Sequence, residues 1–183
     1  MWGEILISPS WLNLGVTMDK EQAITLVEYN TWANHRVLLK AAKLSAASLL
    51  DGASLSHHSL LGTLIHILDT QWYWREGAQA GKLPIKTLEP VDFPSLAALR
   101  RRWDEEDRLL LGYVHGLSAD ELNGSVSYNW LWARPRTRPL WQIIQHIVNH
   151  GTHHRSEVGG HLATLGQSPK DLDFIKFVAK MTS

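Results

Sequence analysis

The chain has no cysteine. That absence excludes a disulfide framework, a thiolate metal site and a cysteine nucleophile, and it fits a reducing compartment. It also lacks an excess of either charge. Lys+Arg and Asp+Glu stand at 18 each with no long run of one sign, so there is no basic footprint for nucleic acid or an anionic membrane. No apolar run reaches the roughly 20 residues needed to cross a bilayer. The opening stretch Met1 to Thr17 carries Ile5, Leu6, Ile7 and Leu12, but Pro9 and Asn13 break it and no Lys or Arg precedes it, so it does not read as a signal peptide. The expectation is a cytoplasmic protein without nucleic-acid or membrane partners. Any metal in it must sit on His, Asp or Glu.

With 183 residues, 44% of them apolar, the chain suits one domain with a substantial core. Residues 1–17 read as an N-terminal extension, an appendage or a strap, and 18–183 as the domain. Two residue types are abundant for this size, nine tryptophans and ten histidines.

Helical spacing of Ala23, Leu26, Val27, Ala33, Val37, Leu38 and Ala41 predicts a first helix over about Asp19 to Leu44. A second follows from Leu60, Leu61, Leu64, Ile65, Leu68 and Trp72, ending at Gly77 to Gly81. Lys82 to Pro94 holds three prolines and reads as a loop, after which Ser95 caps a third helix whose apolar side is Leu96, Leu99, Trp103, Leu110 and Val114. Between Ser118 and Pro139 the alternation of Val126, Tyr128, Trp130 and Trp132 suggests a long connection with a short β-ribbon. Leu140 opens a fourth long helix that stops at Gly166, with Pro169 beyond, and a short helix over Leu172 to Lys180 closes the chain. The predicted fold is all-α: a four-helix bundle with two long crossover loops and a short C-terminal helix. Trp32, Trp72, Trp103 and Trp141 are expected in the core, and Trp130 and Trp132 over it, at a pocket mouth or at a dimer contact.

The fourth helix carries the chemistry, in the run from His146 through His150, His153, His154 and Glu157 to His161. Side chains four apart stand one above the other on a helix, so two imidazoles at that spacing can share a cation at about 2.0–2.1 Å. Three pairs qualify: His150 with His154, His146 with His150, and His153 with Glu157. His150 and His154 lie on the arc of Ile143, Ile147 and Leu165, which favours them. A single histidine is more often a hydrogen-bonded core or surface residue. Two on one apolar arc, with further imidazoles alongside, point to metal. A third ligand must come from another helix, where periodicity does not help: His66 shares the less apolar side of the second helix with Ser59, Thr63, Thr70 and Tyr73, and His35, His57, His58 and His115 each give the same one-residue signal.

These residues together resemble the DinB/YfiT-like family of four-helix bundles with a metal site. Tyr29-Asn30-Thr31-Trp32-Ala33-Asn34 is similar to its first-helix signature and Leu64-Ile65-His66-Ile67 to its second-helix histidine. Asn149-His150-Gly151-Thr152-His153-His154-Arg155 resembles its most diagnostic run, and Gly166, Pro169, Asp173 and Phe174 its closing segment. The resemblance implies His66, His150 and His154 as a ligand triad, and a homodimer. Where the family often has Gly-Gln after the arginine, this chain has Ser156-Glu157, which sets a carboxylate near the site.

Three imidazoles leave positions open on a cation, as in a reactive site, and its charge would lower the pKa of a bound thiol or water. Family resemblance implies a thiol-transferase-like enzyme acting on a low-molecular-weight thiol, the sulfur being the substrate's. Hydrolysis by activated water, or a non-catalytic metal-stabilised stress-response module, are the alternatives. Imidazole suits zinc, nickel, iron and copper alike, and zinc or nickel is the expected metal, with iron or copper as alternatives. Glu157 and His153 are candidate orienters or bases, although an ion pair on the helix face is the plainer reading of both.

Overall fold

The computed structural model describes residues 16–128 and 136–181. Expectations for the extension up to Gly15, and for Trp130 and Trp132, lie outside the described residues. The elements are α1 (Lys20–Ala41), α2 (Ala46–Leu50), α3 (Leu60–Ala80), α4 (Leu96–Gly116), α5 (Ala119–Asn123), β1 (Ser125–Tyr128), β2 (Arg136–Pro139), α6 (Leu140–Thr164) and α7 (Phe174–Met181). The fold is all-α apart from a two-stranded antiparallel ribbon that pairs Ser125 with Pro139 and Tyr128 with Arg136. No helix among the described residues is long and apolar enough to cross a membrane.

Local chemistry sets the helix ends. Asp19 accepts from the Gln22 N–H at 2.7 Å while its own N–H donates to the Gln22 side chain, a reciprocal cap that satisfies two donors of α1. Ser59 and Ser95 cap α3 and α4 through the N–H groups of Gly62 and Ala98. At the far end of α6, Gly166 takes φ +72°, and Gln167 donates its N–H back to the Leu162 carbonyl at 2.8 Å. That left-handed residue closes the helix where a β-carbon would be strained.

Four long helices form the bundle, with α6 packed against both α1 and α3, and α4 against the same two from the other side. Hence α1 and α3 occupy diagonal corners, as do α4 and α6. The core is layered. Val37, Leu38, Leu60, Leu64, Leu99, Trp103, Val158 and Leu162 fill one end, and Val27, Trp74, Leu110, Val114, Ile143, Ile144 and Ile147 fill the other. Between them every long helix contributes buried polar residues: Asn30 and Asn34, Gln71 and Arg75, Glu106 and Asp107, and Arg155.

A chain of hydrogen bonds runs through this polar layer, leaving the Asn34 Nδ2 group without a partner. Arg155 Nη1 donates to Asn30 Oδ1 at 2.5 Å and to Asn34 Oδ1 at 2.8 Å, Asn30 Nδ2 to Gln71 Oε1 at 2.9 Å, and Gln71 Nε2 to Asp107 Oδ1 at 2.8 Å. Arg75 forks onto Glu106 through Nε and Nη2. Buried polar groups are tolerated when partnered in this way. Because partners must match, the layer also sets the helices' relative heights.

Of the tryptophans expected in the core, Trp103 is fully buried, while Trp32 and Trp141 are partly buried against it. Trp72 is a correction. It is partly exposed and packs on none of the core clusters, whereas Trp74, two residues on, is the buried ring, at 7% exposure. The two rings are two residues apart, so on a helix they point about 200° from each other. Since α3 is buried on most of its circumference, apolar spacing does not say which of the two turns inward.

Candidate metal centre

The α3–α6 seam brings histidines from both helices together. His66 Nε2 on α3 stands 3.0 Å from His150 Nε2 on α6, and Thr70 Oγ1 lies 3.5 Å from the same nitrogen. One turn along α6, the His154 ring centre is 4.5 Å from that of His150 and 4.7 Å from that of His66. His154 is buried, whereas His66 and His150 are half-buried. A fourth ring enters from the loop between α2 and α3: His57 stacks on His66 with centroids 3.7 Å apart, and ligand nitrogens of His57, His66 and His154 all lie within 4.8 Å of one another.

Two nitrogens each about 2.0–2.1 Å from one ion stand about 3 Å apart or slightly more at the bond angles of octahedral and tetrahedral sites. The separation of His66 and His150 fits that. A hydrogen bond between neutral rings would satisfy one pair of nitrogens at the same distance, but it leaves the rest of the cluster unserved. The Nδ1 atoms of His150 and His154 are buried without a hydrogen-bond partner. Imidazole nitrogen is a good ligand for zinc and its first-row neighbours, so the donor set suits a divalent transition metal.

Electrostatics favour the ligand-competent form. Burial, with His57 and His154 nearby, lowers the His66 pKa from 6.5 to about 4. Burial and the surrounding imidazoles, His154 first, lower that of His150 to about 3. His154 and His57 are lowered as well, chiefly by burial and against the pull of Glu157. At neutral pH all four rings are uncharged with a lone pair to offer, so a cation has few protons to displace.

Glu157 and His153 sit at one end of this cluster. Glu157 Oε1 is 3.3 Å from the exposed His153 Nε2, and Oε2 is 3.6 Å from His154 Nδ1. The same carboxylate accepts from Ser56 twice, from Oγ at 2.7 Å and from the backbone N–H at 3.3 Å. Burial raises the Glu157 pKa, but the Ser56 hydrogen bonds and His154 outweigh it and keep the group ionised. Glu157 therefore ties the α2–α3 loop to α6.

At the opposite end a pocket of about 380 Å³ opens, lined by His66, Asp69, Thr70, Tyr73, Trp74, Pro84, Ile85, Thr87, His146 and His150. Its walls are mainly apolar, and its floor is two of the clustered imidazoles. Asp69 Oδ1 accepts from the Leu88 N–H at 2.7 Å and so fastens the proline-rich loop that forms the outer wall. The edge of His146 meets the Trp74 ring, with centroids 5.3 Å apart.

The rings of His66, His150 and His154 are thus neighbours, while the ligand nitrogens that lie mutually close are those of His57, His66 and His154. His35 is elsewhere, paired with Asp104 and Asp107 on α4. Sequence reasoning missed His57 as a site residue, because a loop has no period to set it apart from His58 beside it. The pocket wall was partly legible: Thr70 and Tyr73 share the side of α3 on which the spacing sets His66.

Bundle and cluster together define a class, helical-bundle proteins with a histidine site at the seam of two long helices that could hold a metal. A family model described as the DinB family matches residues 17–181, and the chain belongs to the DinB family. Among curated proteins none matches it.

Proposed function

We propose that this protein is a metal-dependent enzyme that binds one divalent cation through His66, His150 and His154 and promotes reaction of a small-molecule thiol with a largely apolar partner. The observation that carries the reading is the approach of His66 Nε2 and His150 Nε2 to 3.0 Å at the floor of an apolar pocket. A bound cation supplies Lewis acidity, lowering the pKa of a thiol or water that reaches it.

The remaining work falls to the chain. Tyr73, Trp74, Pro84 and Ile85 present apolar walls that exclude water and hold the substrate's body, with Thr70 Oγ1 available for a hydrogen bond at the floor. Thiol chemistry is favoured over hydrolysis by the placement of Glu157, which is engaged by Ser56, His153 and His154 and is absent from the pocket lining. Water, with a pKa of about 15.7, needs such a base more than a thiol of about 8.5 does. The thiol comes from the substrate, since the chain has no cysteine.

Elemental analysis of tag-free protein is expected to give one divalent metal per chain, lost in His154→Ala. Zinc- or nickel-loaded protein should then accelerate the consumption of an aromatic electrophile by added thiol. Ester cleavage without thiol would move the assignment to a hydrolase. Metal-free wild-type protein that cannot be reloaded would overturn the reading.

A further inference from the structure

The α2–α3 loop is more elaborate than a connection of its length requires. Leu55 is buried in the core, Gly52 and His58 take φ +112° and +60°, and backbone hydrogen bonds run from Leu55 to Gly52, from His58 to Leu55 and from Leu60 to Asp51. A non-glycine residue in the left-handed region costs free energy and persists only where its surroundings impose it. The loop then presses onto the first turn of α3. A β-carbon on Gly62 would stand 2.5 Å from the His57 carbonyl oxygen, so glycine there is what allows the approach. Ser56, one residue before, is held twice by Glu157 of α6.

All these restraints act on one side chain. They place the His57 ring against that of His66, 23° from parallel, with its centroid 5.5 Å from that of His154. His57, His66 and His154 form a convergent set of potential ligand atoms in their own right, and His150 shares His66 with it.

We infer that His57 is a fourth imidazole ligand of the metal site, and that Glu157, acting through Ser56, is the positioning residue that holds it there. The inference rests on the metal reading above and adds to it a loop-borne ligand on the side of the cluster away from the apolar pocket. Three ligands then come from the two long helices and the fourth from the loop, so a substrate thiol binds at a fifth position of the ion or in place of His57.

X-ray absorption at the zinc edge counts imidazoles directly. Zinc-loaded wild-type protein is expected to show four, and His57→Ala and His57→Gln three, with unchanged helical circular dichroism. Zinc affinity, measured by chelator competition, should fall at least tenfold in both His57 variants. In Ser56→Ala, which removes the shorter of the two tethering hydrogen bonds and leaves every imidazole in place, it should fall about tenfold, at the lower end of what lost ligand-orienting hydrogen bonds cost. Three imidazoles in the wild type, with wild-type zinc affinity in His57→Gln, would overturn the assignment and leave the three-histidine site standing. Failure of the wild-type protein to take up zinc at all would instead bring down the metal reading beneath it.

Discussion

Gly151 lies between His150 and His154 on α6, and its role is not to bend the helix. A β-carbon there would meet Arg155 Nη1 at 2.5 Å and Asn30 Oδ1 at 2.7 Å, so the missing side chain makes room for the guanidinium in the polar layer. Gly151→Ala is therefore expected to destabilise the protein by about 1–3 kcal/mol, the usual cost of overpacking, despite alanine's better helix propensity. Urea unfolding measures it, and a gain in stability would contradict the packing. His35 gives a pH-dependent case. Its hydrogen bond to Asp107 raises its pKa above the ordinary 6.5 against the effect of burial, with Asp104 assisting. A raised pKa means that the folded state holds its proton more tightly, so the stabilisation is complete below pH 6.5 and disappears as pH climbs through the folded-state value. Comparing metal-free wild type with His35→Gln, the advantage in Tm should be clear at pH 6 and shrink by pH 9. The ring is 46% exposed on its side chain, so the effect is modest.

Among the elements, α6 does two jobs on two sides. One side carries His150 and His154 toward α3, and the other carries Arg155 toward Asn30 and Asn34 of α1. The first-helix signature and the fourth-helix histidine run are thus two halves of one contact, which neither motif reveals alone. Replacing Arg155 with leucine should cost about 1–3 kcal/mol for each buried acceptor left unsatisfied. Because the histidine cluster lies across the other seam, zinc affinity should change less than tenfold in the variant that still folds. A collapse of affinity would mean that the polar layer, and not the α3–α6 seam, sets the distance between the imidazoles. Helix extents were largely legible, since capping serines, glycine stops and proline-rich loops act locally. The direction of His66 was not, because α3 is buried on most sides and no single apolar arc points to its neighbours.

For the whole molecule, two apolar layers and a largely hydrogen-bonded polar layer account for the bundle without help from a ligand. Chelation is accordingly expected to leave the helical circular dichroism intact while lowering Tm. At a free metal concentration of 100 times Kd the linkage is worth about 2.7 kcal/mol, or about 5–10 °C for a chain of this size. Unfolding on metal removal would mark the ion as structural and weaken the case for catalysis.

The all-α class, the four long helices, the ribbon before the last of them and the gathering of candidate histidine pairs on the fourth were determined by the sequence itself, because each follows from spacing within a few turns of one segment. What only the tertiary structure decided is which side chains meet between segments. His57 reaching His66 from a loop, Ser56 tied to Glu157 across 101 residues, and Trp74 rather than Trp72 turned inward all depend on how the helices pack. Local periodicity carries no information about relative height and rotation, which the packed apolar layers and the matched partners of the polar layer fix together.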